Sequence, residues 1–279
     1  LQLARDLGID VPSQWVLASR EADLAAIPSD AFPVVVKSSR SIVESDNGRR
    51  KTGVAYAATP EDLQRIVTDL GAGAHPLLIQ SRIEGPGLGV FLLRWEGKTL
   101  ASFAHRRIRE KPPSGGVSVC CESVALPIAL MTQSESLLAA LDWSGVAMVE
   151  YKQDMRSGRT YLMEVNPRFW GSLQLAIDAG VDFPWYLVGL ATGAHVEPVH
   201  RWKVGLRSRW IWGDIDHLVA RLTHSRHDLD LPDDAPGISR TALSVFNPCR
   251  RGEQNDVFRI SDPVPFFRET TSWVRALMR

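Results

Sequence analysis

The sequence predicts an α+β protein. Short apolar and β-branched runs of strand length dominate the middle of the chain, and segments with helical spacing or helix caps flank them. The chain has 279 residues, of which 44% are apolar. This length and composition allow one large domain or two tightly joined ones, with a sizeable core.

The first third of the chain alternates helical and strand patterns. Residues 1–8 carry apolar residues at helical spacing before a glycine, which predicts a short helix. Strands are predicted at 14–17 and 32–37, and a Thr-Pro pair opens a helix over 59–70. The polar and basic stretch 40–53 is predicted to be a flexible loop.

The middle of the chain is richer in strand signals. A short apolar strand is predicted at 77–80, followed by a hairpin of 89–95 and 99–105 joined through Glu96-Gly97. The stretch 106–118 is basic and rich in Pro and Gly, and it is predicted to be a loop. A helix near 128–141 follows.

Two further strands precede a helical C-terminal part. Strands are predicted at 146–151 and 160–165, with a turn near 154–158 between them. A long apolar helix with breaks is expected over 172–192. Beyond residue 198 the signal weakens, and only helices at 214–222 and 265–278 are predicted.

Composition excludes several classes of protein. Basic and acidic residues balance at 32 each, so no global field steers the chain toward nucleic acid or a membrane. Cys120 and Cys121 are adjacent, no CxxC zinc spacing occurs, and no apolar run approaches about 18 residues. A reducing cytoplasm is the expected location, and the two cysteines are expected to be packing residues.

The strongest chemical signal lies in the strand pair 146–165. Residues two apart in a strand share a face, so Glu164 and Asn166 point the same way. A turn centred near Ser157 would set Glu150 opposite Glu164, and facing like charges are destabilising unless a cation lies between them. Two carboxylates and an amide oxygen suit Mg²⁺. The alternative is that these are solvated edge residues.

Three basic features allow a functional and a structural interpretation. Arg168 follows the Asn-Pro break, and its planar fork suits a phosphate or an acyl phosphate, or else a surface salt bridge. Lys37 ends an apolar strand, where a lone charge is costly. The alternatives are that it binds a phosphate, that it pairs with an acid, or that it extends to solvent. The segment from His105 to Gly116 combines cations with paired glycines, which suits a small anionic ligand. An ordinary exposed basic loop is the equally weighted alternative.

Five motifs together resemble the ATP-grasp superfamily over residues 1–193. FPVVVKSS resembles its phosphate-lysine strand, LLIQSRIEGPG its adenine hinge, and VAMVEYKQD with YLMEVNPR its metal-binding strands. HRRIREKPPSGGVS and RFWGSLQLAIDAGVDFP are similar to carboxylate–amine ligases of that superfamily. The resemblance implies an ATP-grasp fold of two α+β lobes with antiparallel sheets gripping ATP.

The resemblance also implies a role for each matched residue. Catalytic roles fall to arginines, with Arg168 stabilising the transferred phosphoryl group and Arg107 and Arg109 assisting. The backbone of Arg82 and Ile83 would read the adenine edge. The implied cofactors are ATP and Mg²⁺, with Mn²⁺ as the alternative metal. The implied contacts are Lys37 for the phosphates, Gln80, Ser81, Arg82 and Ile83 for adenine, and Glu150, Glu164 and Asn166 for the metal.

The chain departs from the family pattern in places. Gly87 stands where the family often has an acid for the ribose hydroxyls, and the flap 45–53 is basic with few glycines. The family's additional phosphate lysine and N-terminal lobe would precede Leu1. The expectation is therefore a fragment that is a poor ligase alone, with an ATP-grasp domain at 1–197 and a C-terminal extension at 198–279. The small lobe is expected at 14–85 and the large lobe at 86–197.

The predicted activity is an ATP- and Mg²⁺-dependent ligase. A carboxylate is activated as an acyl phosphate and then attacked by an amine to form an amide. The expected partners are these two small-molecule substrates, with no nucleic acid and no membrane. A kinase that stops at phosphoryl transfer and a nucleotide-binding regulatory domain without turnover are the alternatives.

Overall fold

The computed structural model describes residues 1–19, 23–39, 42–45, 48–51, 53–70, 74–229, 231, 235–247 and 252–278. The predicted α+β class is confirmed. In chain order the elements are α1 (Gln2–Asp6), β1 (Gln14–Leu17), β2 (Val34–Ser38), β3 (Ile42–Ser45), β4 (Gly48–Lys51), β5 (Val54–Ala57), α2 (Pro60–Leu70), β6 (Leu77–Ser81), β7 (Gly87–Trp95), β8 (Lys98–Lys111), β9 (Val117–Ser123), α3 (Ile128–Ala140), β10 (Gly145–Gln153), β11 (Thr160–Asn166), α4 (Leu173–Ala179), α5 (Phe183–Ala191), β12 (Arg207–Arg209), α6 (Ile211–Thr223), α7 (Ile238–Val245), β13 (Glu253–Asn255) and α8 (Val264–Leu277).

The chain forms two compact units. The smaller unit spans 10–84, and the larger unit combines 1–9 with 85–279. The segment predicted as a C-terminal extension, 198–279, therefore shares a unit with 85–197. A domain boundary at 197 stays a prediction.

The smaller unit is an antiparallel sheet with the strand order β1-β6-β2-β5. Its strands alternate, so that Val34, Val36 and Ile79 are buried on one face. Helix α2 covers this face with Leu63 and Val67. This burial holds the unit together and leaves the opposite face of the sheet for polar residues.

The stretch 40–53 is not simply a loop, as the sequence predicted. Strands β3 and β4 pair antiparallel from Ile42–Lys51 to Ser45–Gly48. The polar composition misled the prediction, because main-chain pairing in a two-stranded ribbon requires no apolar pattern. Residues 40, 41, 46, 47 and 52 of this stretch lie outside the described residues.

The larger unit is built on a seven-stranded sheet in the order β11-β10-β7-β8-β9-β12-β13. Neighbouring strands run antiparallel except β12 and β13, which run parallel. A buried cluster in this unit packs the Trp170 ring at a tilt against Phe91, with centroids 4.2 Å apart, and edge-on against Phe183, with centroids 5.0 Å apart. Helices α4 and α5 contribute to this cluster, and the predicted break between them lies at Gly180, which adopts a left-handed φ of 106°.

The predicted basic loop 106–118 is largely a hairpin. Strand β8 continues to Lys111 and β9 begins at Val117, so only the five residues between them form the turn. The ladder contains bulges near Arg107 and Arg109. The prediction was wrong because charged residues within a strand resemble a loop when their ion-pair partners are distant in sequence.

Helices α6, α7 and α8 complete the larger unit. The predicted helices at 214–222 and 265–278 are confirmed as α6 and α8, whereas α7 and the short strands β12 and β13 were not predicted. Trp212 of α6 stacks with Trp273 of α8 at 4.3 Å between ring centroids. Among the helices that the structure describes, none combines the length and apolarity needed to cross a membrane.

Strand β9 carries the two adjacent cysteines. Both are buried and neither forms a disulfide. Burial raises the pKa of the Cys120 thiol to about 11, and it raises the pKa of Cys121 further. A thiol in this state is a poor nucleophile, which agrees with the predicted packing role.

We predict that Phe103→Ala destabilises the larger unit by about 3–5 kcal/mol, because a fully buried ring leaves a cavity. Denaturant unfolding followed by tryptophan fluorescence measures the change. Phe246→Ala is the matched control, since that ring is 69% exposed, and it should change stability by about 0.5 kcal/mol or less. Equal losses in both variants would contradict the assigned core.

Candidate functional site

The predicted pairing of acidic residues across two strands is confirmed. Strands β10 and β11 pair so that Glu150 stands opposite Glu164 and Met148 opposite Asn166. The same row continues across the sheet, with Glu150 opposite Gly89 and Gly89 opposite His105. His105 in turn lies opposite Ser123 of β9, so the two carboxylates lie at one end of a row that crosses five strands.

Arg107 partly neutralises this acidic pair. Its Nη2 donates to Glu150 Oε2 at 2.5 Å, and its Nη1 donates to Glu110 Oε1 at 2.7 Å. The side chains of Arg107 and Glu150 are only 12% and 13% exposed. One guanidinium thus bridges two carboxylates at the edge of the core, where ion pairing is stronger than in bulk water.

The state of Glu150 reflects competing influences. Burial raises the pKa of its carboxyl above the ordinary value, the Arg107 guanidinium opposes this rise, and the facing Glu164 adds to it. Its second oxygen, Oε1, accepts no hydrogen bond from any residue that the structure describes. A further cation near Oε1 would therefore offset part of the cost of burying the Glu150 charge.

Glycines in β7 make the approach of Arg107 possible. A Cβ on Gly87 would lie 2.9 Å from Arg107 Cδ, and a Cβ on Gly89 would lie 2.8 Å from His105 Nε2. The space of a side chain at Gly87 is thus already taken by the arm of Arg107. This explains in steric terms why the acid that the resemblance led us to expect is missing at this position.

Asn166 and Arg168 extend the acidic pair along the chain. Asn166 Nδ2 donates to Glu164 Oε1 at 2.6 Å, which confirms that the two side chains share a face. Arg168 Nη2 lies 3.4 Å from Asn166 Oδ1, and its Nη1 donates to the Phe169 carbonyl at 2.9 Å. Arg168 is exposed, so its guanidinium remains accessible beside the carboxylates.

The donor set suits a hard divalent cation. Glu150 and Glu164 supply carboxylate oxygens and Asn166 an amide oxygen, which are the ligand types of Mg²⁺. Within the described parts of the chain, no cluster of three or more His, Cys, Asp or Glu residues offers another metal site. The residues present therefore fit the ion that the sequence predicted.

The basic residues of the β8–β9 hairpin are mostly paired with acids. Arg106 contacts Glu122 at 3.1 Å, and Lys111 contacts Asp216. Arg109 is buried and donates to both oxygens of Asp214, at 2.5 and 2.7 Å. We therefore revise the prediction for Arg109, because its guanidinium is committed to joining β8 to α6.

His105 lies two strands from Glu150 in the same row of the sheet, and it is completely buried. Its Nδ1 is 3.0 Å from Ser172 Oγ, and its Nε2 has no hydrogen-bond partner among the described residues. Burial, together with the charge of Arg107, lowers the pKa of His105 to about 3. This histidine is therefore neutral at physiological pH and serves as a packing group of the site.

The predicted nucleotide residues lie in the smaller unit. Lys37 of β2 is half-buried and shares the face of Val35, opposite the core, with Gln80 directly across from Val35. Gln80 Nε2 donates to Gln14 Oε1 at 2.7 Å. Lys37 and Gln80 thus share the polar face of this sheet, and their role in nucleotide binding stays a prediction.

The structure defines which backbone group of Arg82 is engaged in the predicted adenine hinge. The Arg82 N–H donates to the Pro33 carbonyl at 3.0 Å. The Arg82 guanidinium lies 5.0 Å from the centroid of the Tyr56 ring. The amide of Arg82 is therefore occupied by the sheet, while Ser81 and Ile83 stay predictions.

Sequence reasoning missed the acids that organise the site. Glu110 lies within the basic segment, three residues after Arg107, and this spacing was the available sequence clue to their ion pair. A bulge in the strand makes the pair possible. Asp214 and Asp216 lie on α6, more than 100 residues from their partners on β8. No local pattern could have identified these long-range pairs.

Comparison with known proteins identifies one family. The sequence profile described as "ATP-grasp in the biosynthetic pathway with Ter operon" matches residues 74–213, which is half of the chain. The matched region runs from before β6 into α6 and includes the facing carboxylates. Among curated proteins, no sequence gives a significant match.

Solved structures confirm the fold. The L-amino acid ligase from Bacillus licheniformis is 18% identical, with a TM-score of 0.52 over 70% of this chain and 46% of that one. The biotin carboxylase–β,γ-ATP complex from Campylobacter jejuni is 16% identical, with a TM-score of 0.54 over 74% and 48%.

A third similar structure contains bound nucleotide. It is the biotin carboxylase domain of the Hydrogenobacter thermophilus 2-oxoglutarate carboxylase, in complex with MgADP, ADP and bicarbonate. It is 14% identical, with a TM-score of 0.57 over 74% of this chain and 47% of that one. The chain thus spans about half the length of each of these three proteins, and at these identities the similarity shows the ATP-grasp fold alone.

We predict that His105 makes folding stability depend on pH. The unfolded histidine binds a proton as pH falls through 6.5, whereas the folded one stays neutral to about 3. Stability should therefore fall between these values by about 1.4 kcal/mol per pH unit more than in His105→Gln. Urea unfolding from pH 6 to 4.5 measures these slopes.

The exposed His195 provides the control for this measurement. His195→Gln removes a histidine that is 84% exposed in its side chain. Its slope should match that of the wild type. Equal slopes in the wild type and His105→Gln would show that His105 titrates normally in the folded state.

Proposed function

The chain belongs to the ATP-grasp family of the biosynthetic pathway with Ter operon, and we propose that it catalyses ATP- and Mg²⁺-dependent carboxylate–amine ligation. A carboxylate oxygen attacks the γ-phosphorus of ATP, and ADP leaves. The amine then attacks the acyl carbon, loses a proton, and displaces phosphate to form an amide. The solved ligase and carboxylase structures share the fold in which this scheme is set.

The observation that carries the proposal is the facing pair Glu150 and Glu164 with Asn166 two residues on. Opposed carboxylates on adjacent strands destabilise a sheet unless positive charge separates them. Arg107 supplies part of that charge to Glu150 from one side. The remaining oxygens favour a bound divalent cation over a purely structural role.

Glu150, Glu164 and Asn166 would hold the Mg²⁺ ion. When bound, the ion neutralises phosphate charge during phosphoryl transfer. The amide of Asn166 is held by Glu164 and approached by Arg168, so its orientation is defined before any ligand arrives. Such preorganisation lowers the cost of assembling the site.

The arginines have distinct roles in this scheme. Arg168 is exposed beside the metal ligands and stabilises the transferred phosphoryl group with its planar fork. Arg107 holds Glu150 in place and contributes positive charge near the reacting carboxylate. Arg109 is a positioning residue that acts through Asp214.

The smaller unit supplies nucleotide contacts in the proposal. Lys37 binds ATP phosphates, and Gln80, Ser81 and Ile83 line the adenine. The backbone of Arg82 contributes through its carbonyl in this proposal, because its amide is bonded to Pro33. The substrates are small molecules, and consumption of ATP favours a cytoplasmic location.

An ADP-release assay tests the proposed function. The chain is incubated with Mg²⁺, ATP and pairs of carboxylates and amines, and both ADP and amide are measured. Ligation predicts ADP and amide in equal amounts when both substrates are present. ADP formation that never yields amide, or no ADP with any pair, would contradict the ligase proposal.

We predict that Glu164→Gln lowers Mg²⁺-ATP turnover by at least about 100-fold, the usual cost of removing a charge-stabilising group. The substitution preserves shape and removes the charge facing Glu150. Mn²⁺ binding, followed by electron paramagnetic resonance, should weaken in parallel. Glu197→Gln is the control because its side chain is 82% exposed and pairs only with His195 among the described residues. Turnover within about twofold of the wild type would remove Glu164 from the metal site.

We predict that Lys37→Ala weakens ATP binding by about 1.5–3 kcal/mol, the scale of a hydrogen bond to a charged group. The residue is half-buried on the polar face of β2, where a cation suits a phosphate. Isothermal titration calorimetry with ATP measures the change. Lys98→Ala, at the exposed first position of β8, is the matched control. Unchanged affinity in Lys37→Ala would exclude Lys37 from the nucleotide site.

A further inference from the structure

A cavity of 730 Å³ lies in the larger unit beside the facing carboxylates. Strand β8 forms one wall with residues 106–110, and helices α6 and α7 form another. Arg107 belongs to this wall and also contacts Glu150. The cavity is therefore adjacent to the proposed reaction centre and includes residues beyond 198.

The cavity wall carries more positive than negative charge. Four of its arginines contact acids: Arg106 and Arg207 share Glu122, Arg107 binds Glu110 and Glu150, and Arg109 binds Asp214. The six arginines of the wall are Arg106, Arg107, Arg109, Arg207, Arg221 and Arg240. Six guanidinium groups against these four carboxylates leave an excess of two positive charges.

The excess charge resides on the two C-terminal arginines. Arg221 of α6 is nine-tenths buried, and it donates to Thr241 Oγ1 at 2.9 Å and to the Pro236 carbonyl. Both acceptors are neutral, and no carboxylate of the described residues pairs with Arg221 or with the exposed Arg240. A buried cation without a counter-charge is costly, and an anionic ligand would offset that cost.

The rest of the wall is apolar. Ile108 and Pro113 come from the β8–β9 hairpin, Met155 from the turn after β10, and Leu231 and Leu243 from the C-terminal part. This mixture of apolar surface and a few cations is typical of sites for small organic anions. Inorganic phosphate alone would leave the apolar wall in contact with water.

We propose that this cavity binds the carboxylate substrate, and that this substrate is an organic anion with an apolar body whose negative charge faces Arg221 and Arg240. The assignment of this anion as a substrate rests on the proposed ligase function. The anion site itself does not depend on turnover. Helices α6 and α7 then have a defined role as the part of the chain that selects the substrate.

The anion site is tested with 8-anilinonaphthalene-1-sulfonate, an aromatic anion whose fluorescence rises on transfer from water. The full chain is titrated with this probe and with uncharged N-phenyl-1-naphthylamine. Arg240→Gln and Arg221→Gln should each weaken binding of the anion by about tenfold, the effect of losing one charged hydrogen bond. Binding of the uncharged probe should not change.

Arg275→Gln is the matched control, because Arg275 is exposed on α8 outside the cavity. Thermal unfolding verifies that each variant is folded, and the exposed Arg240 keeps the test valid if Arg221→Gln unfolds. Anion affinity within about twofold of wild type in a folded Arg240→Gln would overturn the anion site. An equal loss in Arg275→Gln would overturn it as well.

The substrate assignment is tested by steady-state kinetics. In the ADP-release assay, Arg240→Gln should raise KM for the carboxylate by about tenfold and leave KM for ATP unchanged. Turnover with an unchanged KM for the carboxylate would overturn the substrate assignment. An absence of turnover in the wild type would instead contradict the ligase function, while the probe titration would still decide the anion site.

Discussion

The electrostatics of the larger unit centre on two carboxylates that face each other across adjacent strands. Glu150 and Glu164 are directly paired, and burial makes the charge on Glu150 costly. Arg107 offsets part of this cost by bridging Glu150 and Glu110. Its arm passes over Gly87, where a Cβ would lie 2.9 Å away, so the bare backbone there is a condition for the whole arrangement. The same row includes the buried neutral His105, which adds no further charge to the core.

Ion pairs also join the C-terminal helix α6 to the sheet. Arg109 and Lys111 of β8 bind Asp214 and Asp216 of α6, and aromatic stacking of Trp212 on Trp273 joins α6 to α8. These contacts make the segment after 198 part of the unit that holds the carboxylates. A basic strand segment thus has two functions, since Arg107 serves the acidic pair while its neighbours anchor α6. Charge pairing, and not loop flexibility, accounts for the basic residues between 106 and 111.

The contacts of Arg107 with the acidic pair, and the ion pairs between β8 and α6, place the two charged regions that the proposed chemistry uses. In the proposal, the acidic pair attracts a divalent cation, while the cavity on the other side of Arg107 retains surplus positive charge on Arg221 and Arg240. A metal-bound nucleotide and an anionic substrate would then have separate sites that share one guanidinium. The negative charge of the acidic pair would disfavour an organic anion there, so the anionic substrate would be drawn to the cavity side of Arg107.

The sequence by itself determined the α+β class, most strands and the facing carboxylates. Glu150 and Glu164 could be aligned because a short turn near Ser157 connects their strands, and strand alternation then places Asn166 beside Glu164. Only the tertiary structure decided that the basic segment is a strand held by ion pairs. Asp214 lies 105 residues from Arg109, and no local pattern encodes that contact. It also decided that Gly87 has no space for an acid and that α7 forms a cavity wall, since both depend on side chains brought together by packing between distant elements.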